Sequence, residues 1–166
     1  MASRLWATRA ASLLSLGSLF LTEVLPLIVK DLKYSYCHGW VRTEGNLATV
    51  GITDPAQEFL REIVHVDLFA YGCQVKQNKA FGAINSVCKN SNIYTPISGK
   101  VVQVNRKLED FPRLVNESPY EDGWILKVEM KDSNELNNLM DSDQYSKFCE
   151  TAFRPRSLLD LLFNRS

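Results

Sequence analysis

Four cysteines and two histidines are the side chains of this sequence that could act as nucleophiles, bases or metal ligands. Cys37, Cys73, Cys88 and Cys149 are scattered along the chain without a CxxC pair, so their spacing is not that of a zinc site. Cys37 and His38 are adjacent and form the one pair that would suit a metal ion. The more ordinary interpretation is that all four cysteines are free thiols, buried rather than reactive.

Standard enzyme motifs are missing from the sequence, which contains no Walker loop and no GxGxxG, GxSxG or HExxH pattern. His65 falls in an alternating segment that predicts a strand, where a histidine usually packs or lies at the surface. Two carboxylate pairs, Glu109/Asp110 and Glu121/Asp122, are more typical of solvated turns than of acid–base catalysis. No catalytic residue is therefore predicted.

Composition restricts the class of protein further. The 166 residues carry 19 basic and 19 acidic side chains, and this neutral balance argues against nucleic-acid binding. With 45% hydrophobic and 10% aromatic residues, the chain is long enough to form one ordinary domain with a core. Residues 117–150 hold nine acidic and three basic side chains, which predicts either a solvated acidic face or a surface for basic partners.

The N-terminal segment has the composition of a targeting sequence. Residues 1–21 contain Arg4, Arg9 and four serines but no acidic residue. An arginine-rich, serine-rich and acid-poor segment is typical of an organelle transit peptide, and we assign residues 1–30 to it. Glu23 and Pro26 interrupt the apolar run before it is long enough to cross a membrane, so membrane insertion is not predicted.

A secretory signal is the alternative interpretation of the same segment. In that case the chain would be a secreted β domain with disulfides, and Asn116 and Asn164 would be candidate glycosylation sites in Asn-x-Ser sequons. If the segment is a transit peptide, neither of these two sequons is expected to be glycosylated.

The elements that must position these residues are mostly short strands. Alternating apolar residues and turn residues between them predict a mainly β fold, with one short helix inserted early and further helices near the C-terminus. Asp54 is a plausible cap for the early helix, and Asp132 and Glu135 have the spacing of a capping box. The predicted strands are 40–43, 47–52, 63–68, 80–84, 93–97, 101–104 and 124–130. The predicted helices are one from Pro55 to near Arg61 and two that begin near 132 and 142.

Several motifs from Lys33 onward resemble the glycine cleavage system H proteins of plant mitochondria. Their order and spacing hold without gaps over roughly 118 residues. The matching pieces include Lys33-Tyr34, His38-x-Trp40-Val41, Ala48-Thr-Val-Gly-Ile-Thr-Asp54, Ala56-Gln57, Phe81-Gly82-Ala83, Ser86-Val87, Pro96-Ile-Ser-Gly99, Pro112-x-Leu114-Val-Asn116, Ser118-Pro-Tyr-Glu-Asp-Gly-Trp124 and Lys147-Phe-Cys-Glu150.

The resemblance implies a carrier and not an enzyme. It implies a barrel-sandwich hybrid of the lipoyl/biotinyl type over residues 31–150, with lipoate joined by an amide to a lysine at a hairpin tip. It further implies a mitochondrial matrix protein with three partners. These are glycine decarboxylase, a pyridoxal-phosphate enzyme; a folate-dependent aminomethyltransferase; and dihydrolipoyl dehydrogenase. The carrier would move the aminomethyl group of glycine from the first partner to the second.

The sequence departs from the family at the attachment motif. Where family members read Glu-Ser-Val-Lys-Ala, this chain reads Asn85-Ser86-Val87-Cys88-Lys89, so Cys88 holds the lysine position and Lys89 stands one residue later. Neighbouring side chains of a strand point to opposite faces, so this shift would turn the lysine away. Two hypotheses follow: a lipoyl carrier that uses Lys89, or an H-like binding module without lipoate that has lost the carrier function.

Two other departures concern the framework. Pro55 replaces a usual histidine and Arg61 a usual glycine. Residues 151–166 have no counterpart in the family, and we treat them as a divergent tail.

Overall fold

The computed structural model describes residues 27–68 and 72–152. The predicted transit peptide and the tail therefore lie largely outside the described residues. Its elements are β1 (Lys33–Tyr34), β2 (Gly39–Glu44), β3 (Leu47–Ile52), α1 (Asp54–Leu60), β4 (Ile63–Leu68), β5 (Gln74–Val75), β6 (Ala80–Ser86), β7 (Asn90–Tyr94), β8 (Gly99–Val104), α2 (Lys107–Asp110), α3 (Leu114–Glu117), β9 (Leu126–Met130), a 3₁₀ helix (Ser133–Asn138) and α4 (Ser142–Ala152).

The strands form two antiparallel sheets that face one apolar core. One sheet has the order β1-β2-β3-β9-β8-β5 and the other has the order β4-β6-β7. Val50, Val101 and Val128 point inward from the first sheet, and Ile84 and Ile93 do so from the second. The apolar residues of these alternating strands thus face the core, and the polar residues between them face away from it. The predicted mainly β class is confirmed.

A second buried cluster lies on the other side of the larger sheet. Trp40 is fully buried there and donates a hydrogen bond from Nε1 to the carbonyl of Pro119 at 3.0 Å. Gly51 is the cross-strand partner of Trp40, and a Cβ on it would lie 2.6 Å from the indole ring. The glycine is therefore required by the close approach of the tryptophan.

Several predicted boundaries differ from the structure. The predicted strands 80–84 and 93–97 leave the polar stretch 85–92 unassigned, but β6 extends to Ser86 and β7 begins at Asn90, because cross-strand pairing overrides weak local propensity. The residue before α1 is Thr53, so Asp54 is its first residue and not its cap. Two short helices, α2 and α3, were not predicted, since four residues are too few to show a helical period.

The expected capping box is only half present. Asp132 accepts a hydrogen bond from the backbone N–H of Asn134, as a cap should. Glu135 instead accepts hydrogen bonds from the backbone N–H and the hydroxyl of Ser98, at 2.6 and 2.7 Å. This carboxylate therefore joins the C-terminal region to the start of β8.

Residues 27–30 of the assigned targeting segment contact the domain. The backbone N–H of Leu27 donates to the Asp54 carboxylate at 2.8 Å, and the Leu27 carbonyl accepts from the Tyr120 hydroxyl at 2.6 Å. The Tyr34 hydroxyl donates to the carbonyl of Val29. Within the described part of the chain, no helix is long and apolar enough to cross a membrane.

Candidate functional site

The hairpin of β6 and β7 ends in a tight turn with two residues at its tip. Asn85 pairs with Asn90, and the backbone N–H of Ser86 donates to the carbonyl of Lys89 at 3.0 Å. Val87 and Cys88 are thus the two tip residues, and both are exposed. The position that the family resemblance assigns to the lysine is therefore held by a cysteine thiol.

The Ser86 side chain fixes the conformation of this turn. Its Oγ accepts hydrogen bonds from the backbone N–H groups of Cys88 and Lys89, at 3.3 and 3.1 Å, and donates to the Lys89 carbonyl at 2.9 Å. Serine hydroxyls commonly stabilise turns in this way. Since the strand pairing continues directly into the turn, the hairpin is not slipped, and Lys89 does not reach the tip.

Lys89 closes the turn and faces α1. Its neighbour two residues on, Ser91, pairs with the buried Ile84, so Lys89 shares the core-facing side of the hairpin. The ammonium nitrogen lies 3.2 Å from the ring centroid of Phe59, a cation–π contact. The side chain is half-buried, whereas 61% of Phe59 is exposed.

A groove of about 350 Å³ runs between α1 and the hairpin. Its walls are mostly apolar, and Lys89 lies among its lining residues. The wall also includes Cys37, Ala56, Phe59, Leu60, Ile84, Ile93 and Ala152, the last residue of α4.

His38 lines this groove and belongs to a hydrogen-bonded chain with Tyr145 and Thr53. His38 Nδ1 is 2.7 Å from the Tyr145 hydroxyl, which is 2.7 Å from Thr53 Oγ1. Burial lowers the pKa of His38 and raises the pKa of Tyr145 far above its usual range. Both groups are therefore held neutral, and the chain of bonds joins α4 to the sheet.

The cysteines are only partly as predicted. Within the described residues all four are free thiols, but Cys37, Cys73 and Cys88 are exposed and only Cys149 is buried. The expectation of buried thiols is thus wrong for three of them, because they lie in loops and turns and not in the core. Among the described residues, no three acidic, histidine or cysteine side chains come together as a metal site.

The carboxylate pairs and His65, the other residues considered for acid–base chemistry, lie at the surface. Glu121 forms an exposed ion pair with Arg42 at 3.0 Å, and Glu109 and Asp110 are exposed in α2. His65 Nε2 contacts the Asp67 carboxylate at 2.9 Å on the exposed face of β4. His65 pairs across the sheet with Asn85, one residue before the turn. The carboxylates of Glu109, Asp110 and Glu121 are exposed, so the interpretation of solvated carboxylates stands.

The Asn116 side chain is fully used inside the fold. Its Oδ1 accepts from the backbone N–H of Ile63, and its Nδ2 donates to Gln57 Oε1 and to the carbonyl of Arg61. A glycan on this nitrogen would break the contacts that hold α1 to α3. The other sequon, at Asn164, lies outside the described residues.

Phe59 is the site residue that sequence reasoning missed. It is thirty positions from Lys89, and only the packing of α1 beside the hairpin brings the two together. An aromatic residue on a short helix is an ordinary feature of a sequence, and no signal marked it.

The fold and the site together define a small two-sheet β domain that presents a tight hairpin turn beside a mostly apolar groove. The comparisons with known proteins identify the family. The model of the glycine cleavage H-protein family matches residues 32–152, and the chain belongs to that family.

Similar proteins agree with this assignment. Glycine cleavage system H protein 2, mitochondrial, of Arabidopsis thaliana is 53% identical over 151 residues, which cover 90% of this chain and 96% of that protein. The mitochondrial H protein of Flaveria pringlei is 46% identical over 156 residues, with the same shares covered. A crystal structure of an H protein from Mycobacterium marinum superimposes with a TM-score of 0.67 at 29% identity, covering 73% of this chain and 98% of that one.

Membership of the H-protein family gives the general role of the chain. Proteins of this family are lipoyl carrier components of the glycine cleavage system and not catalysts, and they interact with the other components. The chain is therefore a non-enzymatic member of that system, and the predicted family is confirmed. The similar plant proteins are named mitochondrial, which opposes the secretory interpretation of the N-terminal segment.

Proposed function

We propose that this chain is a lipoyl carrier of the glycine cleavage system in the mitochondrial matrix, with lipoate attached through an amide to Lys89. It would move the aminomethyl group of glycine from glycine decarboxylase to the aminomethyltransferase, and dihydrolipoyl dehydrogenase would reoxidise the dithiol. The observation that carries this proposal is that Lys89 is the one lysine of the β6–β7 hairpin and directly follows its tip.

The amine of Lys89 fits the chemistry of the attachment. Leaving the exposed face of Phe59 costs the cation–π contact, about 0.5–1 kcal/mol at such a site. This cost would reduce the fraction of outward-pointing lysine only a few-fold. The long lysine stem would then supply reach, and the turn held by Ser86 would supply a rigid base. The bound group would contribute the dithiolane that accepts the aminomethyl unit.

The second candidate function is a binding module without lipoate. It is favoured by Cys88 at the tip and by the direction of Lys89, which faces the groove. A lipoyl-transferring enzyme that requires a lysine at the tip would not modify such a hairpin. The module would then bind components of the system without carrying a group between them.

Intact-mass analysis after co-expression with a competent lipoylation system separates the two functions. The carrier proposal expects a lipoyl-sized increment that peptide mapping assigns to Lys89 and that is lost in Lys89→Arg. The double variant Cys88→Lys/Lys89→Ala is the positive control, because it restores the tip lysine. An unmodified wild-type chain beside a modified double variant would refute the carrier and support the binding module.

A further inference from the structure

A second groove, of about 510 Å³, lies between the start of β4 and the segment that runs from the end of α2 into α3. We call it the β4–α3 groove, and it shares no lining residue with the groove beside Lys89. The buried Ile63 is part of its lining, and Val64 and Phe111 line it with 50% and 65% of their surface exposed. Apolar side chains exposed together in a concave place usually mark an interaction site.

The exposure of Val64 follows from the backbone pairing of β4. Ile63 pairs with Ser86 and His65 pairs with Asn85, so the register shifts between them and Val64 is the extra residue of a β-bulge. Strand β4 is an edge strand of the smaller sheet. Bulges at sheet edges re-aim side chains and are frequent beside functional sites. The outward valine is therefore a fixed feature of the groove wall.

The polar rim of the β4–α3 groove is acidic. Glu62 and Arg113 both line it and form an ion pair with each other. Asp110 and Glu117 also line it, are exposed, and take part in no ion pair among the residues that the structure describes. The basic residues at the start of α2 do not line the groove. Two carboxylates thus remain beside the apolar wall, and they complement a segment that carries an apolar side chain and two basic ones.

The β4–α3 groove adjoins the hairpin turn. The backbone N–H of Val87 donates to the carbonyl of Glu62 at 3.0 Å, which joins the rim of the groove to the tip of the β6–β7 hairpin. Val87 is itself 62% exposed. A protein that fills the groove would therefore also lie against the turn. Proteins of this family interact with the other components of the glycine cleavage system, so such a component is the occupant that this position suits.

We propose that the β4–α3 groove is a docking site for a protein component of the glycine cleavage system. A segment of that partner inserts an apolar side chain between Val64 and Phe111 and places two basic side chains against Asp110 and Glu117. The groove then holds the partner in a fixed position relative to the hairpin turn. The proposal goes beyond the carrier function and does not require lipoate, because every contact that it uses belongs to the unmodified chain.

Binding of the full, unmodified chain to purified glycine decarboxylase, aminomethyltransferase and dihydrolipoyl dehydrogenase, each in turn, tests the docking site. We expect one of them to bind Phe111→Ala about tenfold more weakly than the wild type. Asp110→Asn/Glu117→Gln should also bind it about tenfold more weakly at low ionic strength, and this loss should shrink as salt is added, because salt screens surface charges. Since the chain is unmodified, the result is independent of the intact-mass measurement that tests lipoylation.

Two control variants change the same kinds of side chain elsewhere. Val102→Ala trims an exposed valine of β8, and Glu44→Gln/Glu129→Gln removes two exposed carboxylates from the larger sheet. Both should bind within about twofold of the wild type, and all variants should keep the wild-type melting temperature. A wild type that binds none of the three components, or groove variants that bind as tightly as the controls, would overturn the proposal. Self-association that is lost in Phe111→Ala would also overturn it, because the occupant would then be a second copy.

Photo-crosslinking checks the chemistry of the occupant. With p-benzoylphenylalanine in place of Phe111, the cross-link to the bound component should map to a segment with at least two lysine or arginine residues near the linked position. A cross-link to an acidic segment would contradict the proposed charge complementarity.

Discussion

Replacing Arg61 with glycine should stabilise the protein. Arg61 follows α1 with φ 68° and ψ −153°, a backbone conformation that is almost confined to glycine. The family resemblance places a glycine at this position, and this chain instead carries a Cβ in a conformation that suits glycine. The backbone is held there because the Arg61 N–H donates to the carbonyl of Gln57 and the Arg61 carbonyl accepts from Asn116.

The magnitude is the difference between two effects. A residue with a side chain in this region costs about 1–3 kcal/mol, which glycine would remove. Glycine also makes the unfolded chain more flexible, at a cost of about 0.4–1 kcal/mol. The expected net gain in the free energy of unfolding is therefore about 1 kcal/mol. For a folded region of this size it raises the melting temperature by about 2–5 °C.

Urea unfolding followed by circular dichroism, together with a thermal melt, measures this gain. Arg61→Ala is the matched control: it removes the exposed guanidinium group but keeps the Cβ, so its stability should stay within about 0.5 kcal/mol of the wild type. A glycine variant no more stable than the wild type would refute the reasoning. An alanine variant that gains as much as glycine would show that the side chain, and not the backbone, is the source of strain.

Three further predictions concern side-chain hydrogen bonds and burial within the fold. Tyr145→Phe removes the hydroxyl between His38 and Thr53 and should lower the free energy of unfolding by about 1–3 kcal/mol in urea titrations. Because burial lowers the pKa of His38 below its ordinary 6.5, the unfolded chain binds the proton first, and stability should fall as the pH drops below 6.5. That slope should vanish in His38→Asn, and its persistence would contradict the assignment. Glu135→Gln weakens the two bonds to Ser98 and should cost about 1 kcal/mol by chemical denaturation, with no loss contradicting the contact.

Local patterns were sufficient for most of the framework. Alternating apolar residues predicted β3 and β4 closely, and Pro55 after Asp54 marked the start of α1. They failed where pairing with a distant strand decides the structure, as at the polar ends of β6 and β7. Glu135 shows the same limit: its spacing suggested a local cap, but the nearest donors in space belong to Ser98.

The sequence by itself determined the family, the mainly β class and the displacement of the lysine from the attachment motif, because these depend on residue order alone. The tertiary structure decided where Lys89 lies. The turn held by Ser86 keeps Cys88 at the tip and directs Lys89 toward Phe59. The physical reason is that a side chain's direction follows from strand register and from the helix packed beside it, and both arise from contacts between residues far apart in the chain.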